Sequence, residues 1–117
     1  GELPEETVLR EVSEETGLTV EIIGERRAPD PANGKVRYLL SPRHIQLEDI
    51  PGPGGFHQHI DLIYFCRPLS GSVRLAPEDH EEIHWFSEAD LIENSLGETL
   101  PDEVRATGAL AIRALTT

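Results

Sequence analysis

Residues 4–16, PEETVLREVSEET, have few conformations open to them other than a helix with a defined start and stop. Pro4 suits a first helical turn because the amide it lacks would be unsatisfied there. Glu5 and Glu6 complement the positive end of the helix dipole, and Gly17 is a natural stop just past the last turn. Val8, Leu9 and Val12 make a narrow apolar stripe. Glu11, Glu14 and Glu15 lie to one side of it at the i, i+3, i+4 spacing. One face is thus built to pack and another collects carboxylates.

The rest of the chain alternates extended segments and turns. Residues 18–25 read as a strand, with Val20, Ile22 and Ile23 between Gly17 and Gly24. Pro29, Pro31, Asn33 and Gly34 make a loop, after which residues 36–40 and 44–47 look extended on either side of Pro42. Residues 51–55 are a proline and glycine loop; they do not follow a strand and open a helix, which excludes a dinucleotide fingerprint. Residues 57–67 form the strongest strand candidate, and the unbroken apolar run 62–66 predicts burial on both faces. A short strand at 83–86 leads through Ser87, a good N-cap, into a helix over 88–93. An amphipathic helix over 101–115, with Val104, Leu110 and Ile112 among its apolar positions, closes the chain. The order predicts one α+β domain over 1–117, because 117 residues suffice for one core and not for two.

Charge narrows the function. Twenty-two acids against ten bases leave a formal charge of -12, and Lys35 is the one lysine. Such a field repels a nucleic acid backbone, so duplex binding is not expected. A small anionic substrate remains compatible if divalent cations lie between it and the carboxylates. No apolar run approaches a membrane span and no signal-peptide layout is present, so a cytoplasmic, membrane-free protein is expected. Cys66 cannot form an internal disulfide, which agrees with a reducing compartment. It lies in an apolar run and reads as a small core residue rather than a nucleophile. Trp85 reads as core as well, with nucleobase stacking as the alternative.

Three glutamates within one and a half helical turns repel one another, and a hard divalent cation removes that cost. Arg10, directly before them, could hold one carboxylate by bidentate pairing. Taken alone the cluster is weak evidence, since glutamate-rich exposed helix faces are common. The string around it is more specific: Glu2, seven residues, then Arg10, Glu11, Val12, Ser13, Glu14, Glu15, Thr16, Gly17 and Leu18. It resembles the motif of the Nudix hydrolases, which runs Gly, five of any kind, Glu, seven of any kind, Arg-Glu, an apolar residue, any, Glu-Glu, any, Gly, an apolar residue. Every fixed position from Glu2 onward matches, and the opening glycine would fall before the first residue.

The resemblance implies a Nudix fold, with a mixed β-sheet sandwiched between helices. It implies a Mg²⁺- or Mn²⁺-dependent pyrophosphohydrolase cleaving a nucleoside diphosphate linked to another moiety. Candidate substrates are nucleoside triphosphates, ADP-ribose and other nucleotide sugars, and dinucleoside polyphosphates. By position, Glu11, Glu14 and Glu15 are the metal ligands, with Glu14, Glu15 and Arg10 catalytic, Arg10 by orienting a carboxylate, and Glu2 in support. Relatives often place a further acid in a loop before the last strand. The loop Glu78-Asp79-His80-Glu81-Glu82 makes Asp79 the first candidate for that role and Glu78 the second. The shorter aspartate departs from the usual glutamate, and an acidic solvated turn would read the same.

Two other function classes compete. A Nudix-like module that binds or senses a nucleotide without turnover would be expected to have lost motif glutamates, and these are retained. A Ca²⁺-binding scaffold would need alternating oxygen ligands in a loop, not acids at helical spacing. His57, His59 and Asp61 alternate and so share one strand face, a layout compatible with zinc except that no fourth ligand is evident. Relatives usually carry several strands ahead of the motif. The expectation is therefore a domain truncated at its N-terminus, or a homodimer in which a second chain covers the open edge.

Overall fold

The computed structural model describes residues 1–74, 83–94 and 100–116. In chain order the elements are α1 (Pro4–Thr16), β1 (Leu18–Ile23), β2 (His44–Gly52), β3 (Gly55–Ile63), β4 (Phe65–Gly71), α2 (Glu88–Glu93) and α3 (Asp102–Thr116). The class is α+β, as expected. Pairing among the described residues is antiparallel throughout, β1 with β4 and β2 with β3, so the parallel pair that a mixed sheet requires is not seen among them. Helix α1 packs on β1, while α3 touches β4 and carries α2 against it.

Helix α1 has the predicted bounds. Its N-cap, Leu3, offers no side-chain acceptor, and Pro4 begins the first turn. At the other end Gly17 adopts φ +79° and donates to the Ser13 carbonyl at 2.9 Å. The chain leaving β4 closes over this point, where the Arg74 amide donates to the Thr16 carbonyl at 2.8 Å. A Cβ on Gly17 would lie 2.6 Å from the Ser72 carbonyl oxygen and 2.7 Å from Arg74 Cγ. The position needs both a left-handed backbone and no side chain. Gly17→Ala is therefore expected to cost about 1–3 kcal/mol through strain and overpacking. Denaturant unfolding that gives a change under about 0.5 kcal/mol, the range of neutral surface substitutions, would contradict this.

The segment expected to be one long strand is two. Residues 44–52 and 55–63 form a hairpin in which His44 faces Ile63 and Gly52 faces Gly55. Beyond Tyr64 the chain changes partner, and Phe65, Cys66 and Arg67 pair with Ile23, Ile22 and Glu21 of β1. The apolar run 62–66 thus straddles a junction between two ribbons and is not a strand buried on both faces. Phe65 is buried at 4% exposure, whereas Leu62 remains 40% exposed. Pro68, which lacks an amide to donate, sits beside a register shift between Thr19 and Val20, where such a residue is tolerated.

Other differences follow from similar causes. The expected 51–55 loop shortens to a two-residue turn, with Pro53 and then Gly54 at φ +90° as a type II turn requires. Among the described residues, 36–40 and 83–86 pair into no strand. Trp85, expected in the core, is 67% exposed. The helix at 88–93 forms as predicted: Ser87 Oγ accepts from the Asp90 amide at 3.1 Å, and Asp90 Oδ2 accepts from the Ser87 amide at 2.9 Å, a reciprocal capping box. The Glu88 carboxylate accepts from Arg113 and ties α2 to α3.

The core is thin. Among the described residues Val20, Phe65 and Leu91 are the buried apolar side chains. The radius of gyration is 16.8 Å, against about 13 Å for a globular chain of this length. In the β2–β3 hairpin Ile45, Leu47, Phe56, Ile60 and Leu62 all share one face and are all exposed, Ile60 at 74%.

Candidate active site

The motif residues gather on the exposed flank of α1. Arg10 reaches back across two turns to Glu2: its Nε donates to Oε1 at 3.0 Å and Oε2 at 2.8 Å, and an Nη donates to Oε1 at 2.7 Å. The other Nη donates to Glu14 Oε2 at 3.1 Å, and Glu11 Oε1 stands 3.8 Å from the guanidinium. The planar fork of five donors lets one arginine grip Glu2 and steer a second acid at once, which the point charge of a lysine could not do. The Arg10 hydrogen bonds hold the Glu2 carboxyl below its ordinary pKa, and the same bonds raise that of Arg10. All of these groups are exposed, so solvent screens the pair, and its value lies in orientation rather than stability.

Glu15 makes no ion pair or hydrogen bond among the described residues, and Glu11 has only the long approach to Arg10. The last turn of α1 holds no basic residue, while Glu14 and Glu15 stand at the negative end of the dipole. Helices ordinarily place cations there. Two acids at that end, with a third one turn earlier, carry an unfavourable field that a bound cation offsets. The donors are hard carboxylate oxygens, the set Mg²⁺ and Mn²⁺ accept.

A second tie joins the same helix to the loop that follows β1. The inner carboxylate of Glu5, 13% exposed, accepts from Arg26 at 2.5 Å and from the Leu40 amide at 3.4 Å. The Arg26 hydrogen bond holds the Glu5 carboxyl below its ordinary value. Arg26 also donates to the Tyr38 carbonyl at 2.6 Å, so residues 26–40 are pinned to α1 at both ends. Just beyond them lies an open cleft of about 410 Å³, lined by Ile23, Glu25, Ser41, Arg43, Phe65 and Ala114 among others. Its volume falls within the range of small-molecule clefts, and its lining mixes one aromatic wall with charged and polar groups open to solvent.

Asp79 and Glu78 lie outside the described residues. Cys66 is half-buried between β4 neighbours, and burial pushes its thiol pKa up, which agrees with a packing role and not a nucleophile. Glu5 was not singled out from the sequence. Its partners lie 21 and 35 residues away, and only an acid at the helix start, explained equally well by the dipole, hinted at it.

A family model described as NUDIX domain matches residues 1–106. The chain is also similar to a solved structure described as a hydrolase of the NUDIX family from Clostridium perfringens. The two are 27% identical and superpose with a TM-score of 0.72 over 97% of this chain and 74% of that one. No curated protein matches. Among the described residues no helix is long and apolar enough to cross a membrane. With a family model spanning nearly the whole chain and a Nudix hydrolase sharing its fold, this chain belongs to the Nudix family and is a hydrolase acting on pyrophosphate bonds.

Proposed function

We propose that the chain hydrolyses a nucleoside diphosphate linked to another moiety, with Mg²⁺ or Mn²⁺ held by Glu11, Glu14 and Glu15. The observation that carries this reading is the placement of three exposed carboxylates on one face of α1, two of them at the negative end of the helix, where Arg10 pairs with Glu14 and Glu15 has no cationic partner among the described residues. A divalent cation held by these carboxylates would supply charge neutralisation to a pyrophosphate and would activate water for attack at phosphorus.

The chain's own residues do the rest. Glu2 immobilises Arg10, and Arg10 in turn holds Glu14 in one rotamer, so that carboxylate needs no reordering when the site fills. Glu15, without a competing cation among the described residues, keeps its lone pairs available for a ligand or for a water proton. Asp79, with Glu78 as second choice, is assigned the later proton acceptor from its place in the sequence. The net charge of -12 keeps a bare polyphosphate away and admits it with its counter-cations.

The test is a turnover screen over nucleoside triphosphates, ADP-ribose and other nucleotide sugars, and dinucleoside polyphosphates, with Mg²⁺, with Mn²⁺ and with chelator. Cleavage of one class that stops on chelation is expected. Turnover that persists after chelation, or absence of turnover on every class, would overturn the proposal. In the same assay Asp79→Asn should lower kcat by about 10² with a smaller change in KM, the size of a lost general base. A larger loss from Glu78→Gln would move the role by one residue.

A further inference from the structure

The β2–β3 hairpin carries a second set of ligating side chains, away from the motif helix in sequence and different in chemistry. Glu48 on β2 stands directly across from His59 on β3, and Asp61 lies two residues further along the same face, opposite Gln46. The ligand atoms of Glu48, His59 and Asp61 all lie within 4.8 Å of one another. From the sequence, His57, His59 and Asp61 share a face and lack a fourth donor; of these His59 and Asp61 join the converging group, while His57 lies opposite Ile50 and outside it. The pairing register supplies the third member by bringing Glu48 across the ribbon.

We propose that this face binds one borderline divalent transition-metal ion of the Zn²⁺ class, through an imidazole nitrogen of His59 and one carboxylate oxygen each from Glu48 and Asp61. Three features of the hairpin point to it.

First, the three groups converge without using one another. His59 makes neither a hydrogen bond nor an ion pair with either acid among the described residues, and Glu48 likewise has no partner there. Donors sharing one ion with bonds of about 2.0–2.2 Å sit roughly 3–3.5 Å apart, so small rotations of the exposed Glu48 and His59 side chains close the set.

Second, Asp61 is already oriented. The Gln46 side-chain amide donates to Asp61 Oδ2 at 3.3 Å, leaving the other carboxylate oxygen for an ion. Such an outer partner is what fixes the direction of a metal-binding carboxylate.

Third, the donor set discriminates. One nitrogen and two oxygens suit Zn²⁺, Co²⁺ or Ni²⁺, whereas the all-carboxylate flank of α1 suits Mg²⁺. Three protein ligands leave a coordination position for water, as in open zinc sites. Because the ligands come from both strands, the ion would also clamp a two-stranded ribbon, a unit only marginally stable without help.

The experiment titrates Zn²⁺ into the full chain by calorimetry with Mg²⁺ in large excess, so that the motif glutamates are already engaged. One Zn²⁺ per chain is expected. His59→Gln and Asp61→Asn should each weaken it by about 10-fold or more, and Gln46→Ala by about 10-fold as an outer-shell change. Glu14→Gln should leave it unaltered. Zn²⁺ affinity that is the same in His59→Gln as in the parent, or that falls only with Glu14→Gln, would overturn the assignment. Absorption of the Co²⁺-loaded parent gives a reading that needs no variant to fold: nitrogen-containing, low-symmetry coordination is expected, and an all-oxygen octahedral spectrum would overturn the proposal.

Discussion

Glu15→Gln is expected to lower kcat by about 10² or more while leaving the fold intact, because it removes one charge and one hard donor without changing the shape of the side chain. Glu15 is exposed and makes no hydrogen bond or ion pair among the described residues, so none there is lost with it. Removing a carboxylate from the negative end of α1 even relieves some repulsion, and the melting temperature should stay level or rise slightly. Glu14→Gln should lose activity by a comparable factor and also release one arm of Arg10, whose hydrogen bond to Glu14 Oε2 is 3.1 Å. Steady-state rates at saturating Mg²⁺, read beside a thermal melt of the same preparation, check both. An unchanged rate in a folded Glu15→Gln protein would remove that glutamate from the mechanism and leave the motif helix with two ligands.

Phe65→Ala should destabilise the protein by about 3–5 kcal/mol, the usual cost of deleting a buried aromatic ring. Phe65 is the most buried of the few buried apolar residues among those described. Its ring meets His44 edge-on at 6.3 Å between centroids, and the Arg43 guanidinium lies 5.8 Å from its centre. It therefore joins the start of β4 to the start of β2 and walls the cleft beside Ile23. A loss of that size is a large share of a typical total of about 5–15 kcal/mol. Leu62→Ala, three residues away in the same apolar run but 40% exposed, should cost clearly less. Urea unfolding of the two variants side by side decides it. Equal losses would mean that the run 62–66 is uniformly buried, contrary to the change of partner at Tyr64.

The two variants mark where sequence patterns stop being informative. An apolar run of five residues reads the same whether it fills one buried strand or bridges two ribbons, because periodicity reports the chemistry of a segment and not its partners. The junction at Tyr64 arises because β3 pairs with a neighbour close in sequence and β4 with one more than forty residues back. Trp85 shows the same limit. Its size argues for burial, yet no element among the described residues covers it.

Local rules, by contrast, transferred almost unchanged. The bounds of α1, the cap at Ser87 and the helix it starts all follow from interactions spanning four residues or fewer, which sequence displays directly. The motif flank is of the same kind, since Glu11, Glu14 and Glu15 share a face by helical spacing alone. The sequence by itself therefore determined the family, the bounds of the motif helix and the acids that share its flank. Tertiary structure decided what holds that helix in place. The grip of Glu2 on Arg10 spans eight residues and that of Glu5 on Leu40 spans thirty-five. The meeting of Glu48 with His59 depends on a hairpin register that slips the whole face if it shifts by one residue. Contacts of that sort are set by which surfaces the packed chain brings together, and no spacing within a single segment encodes them.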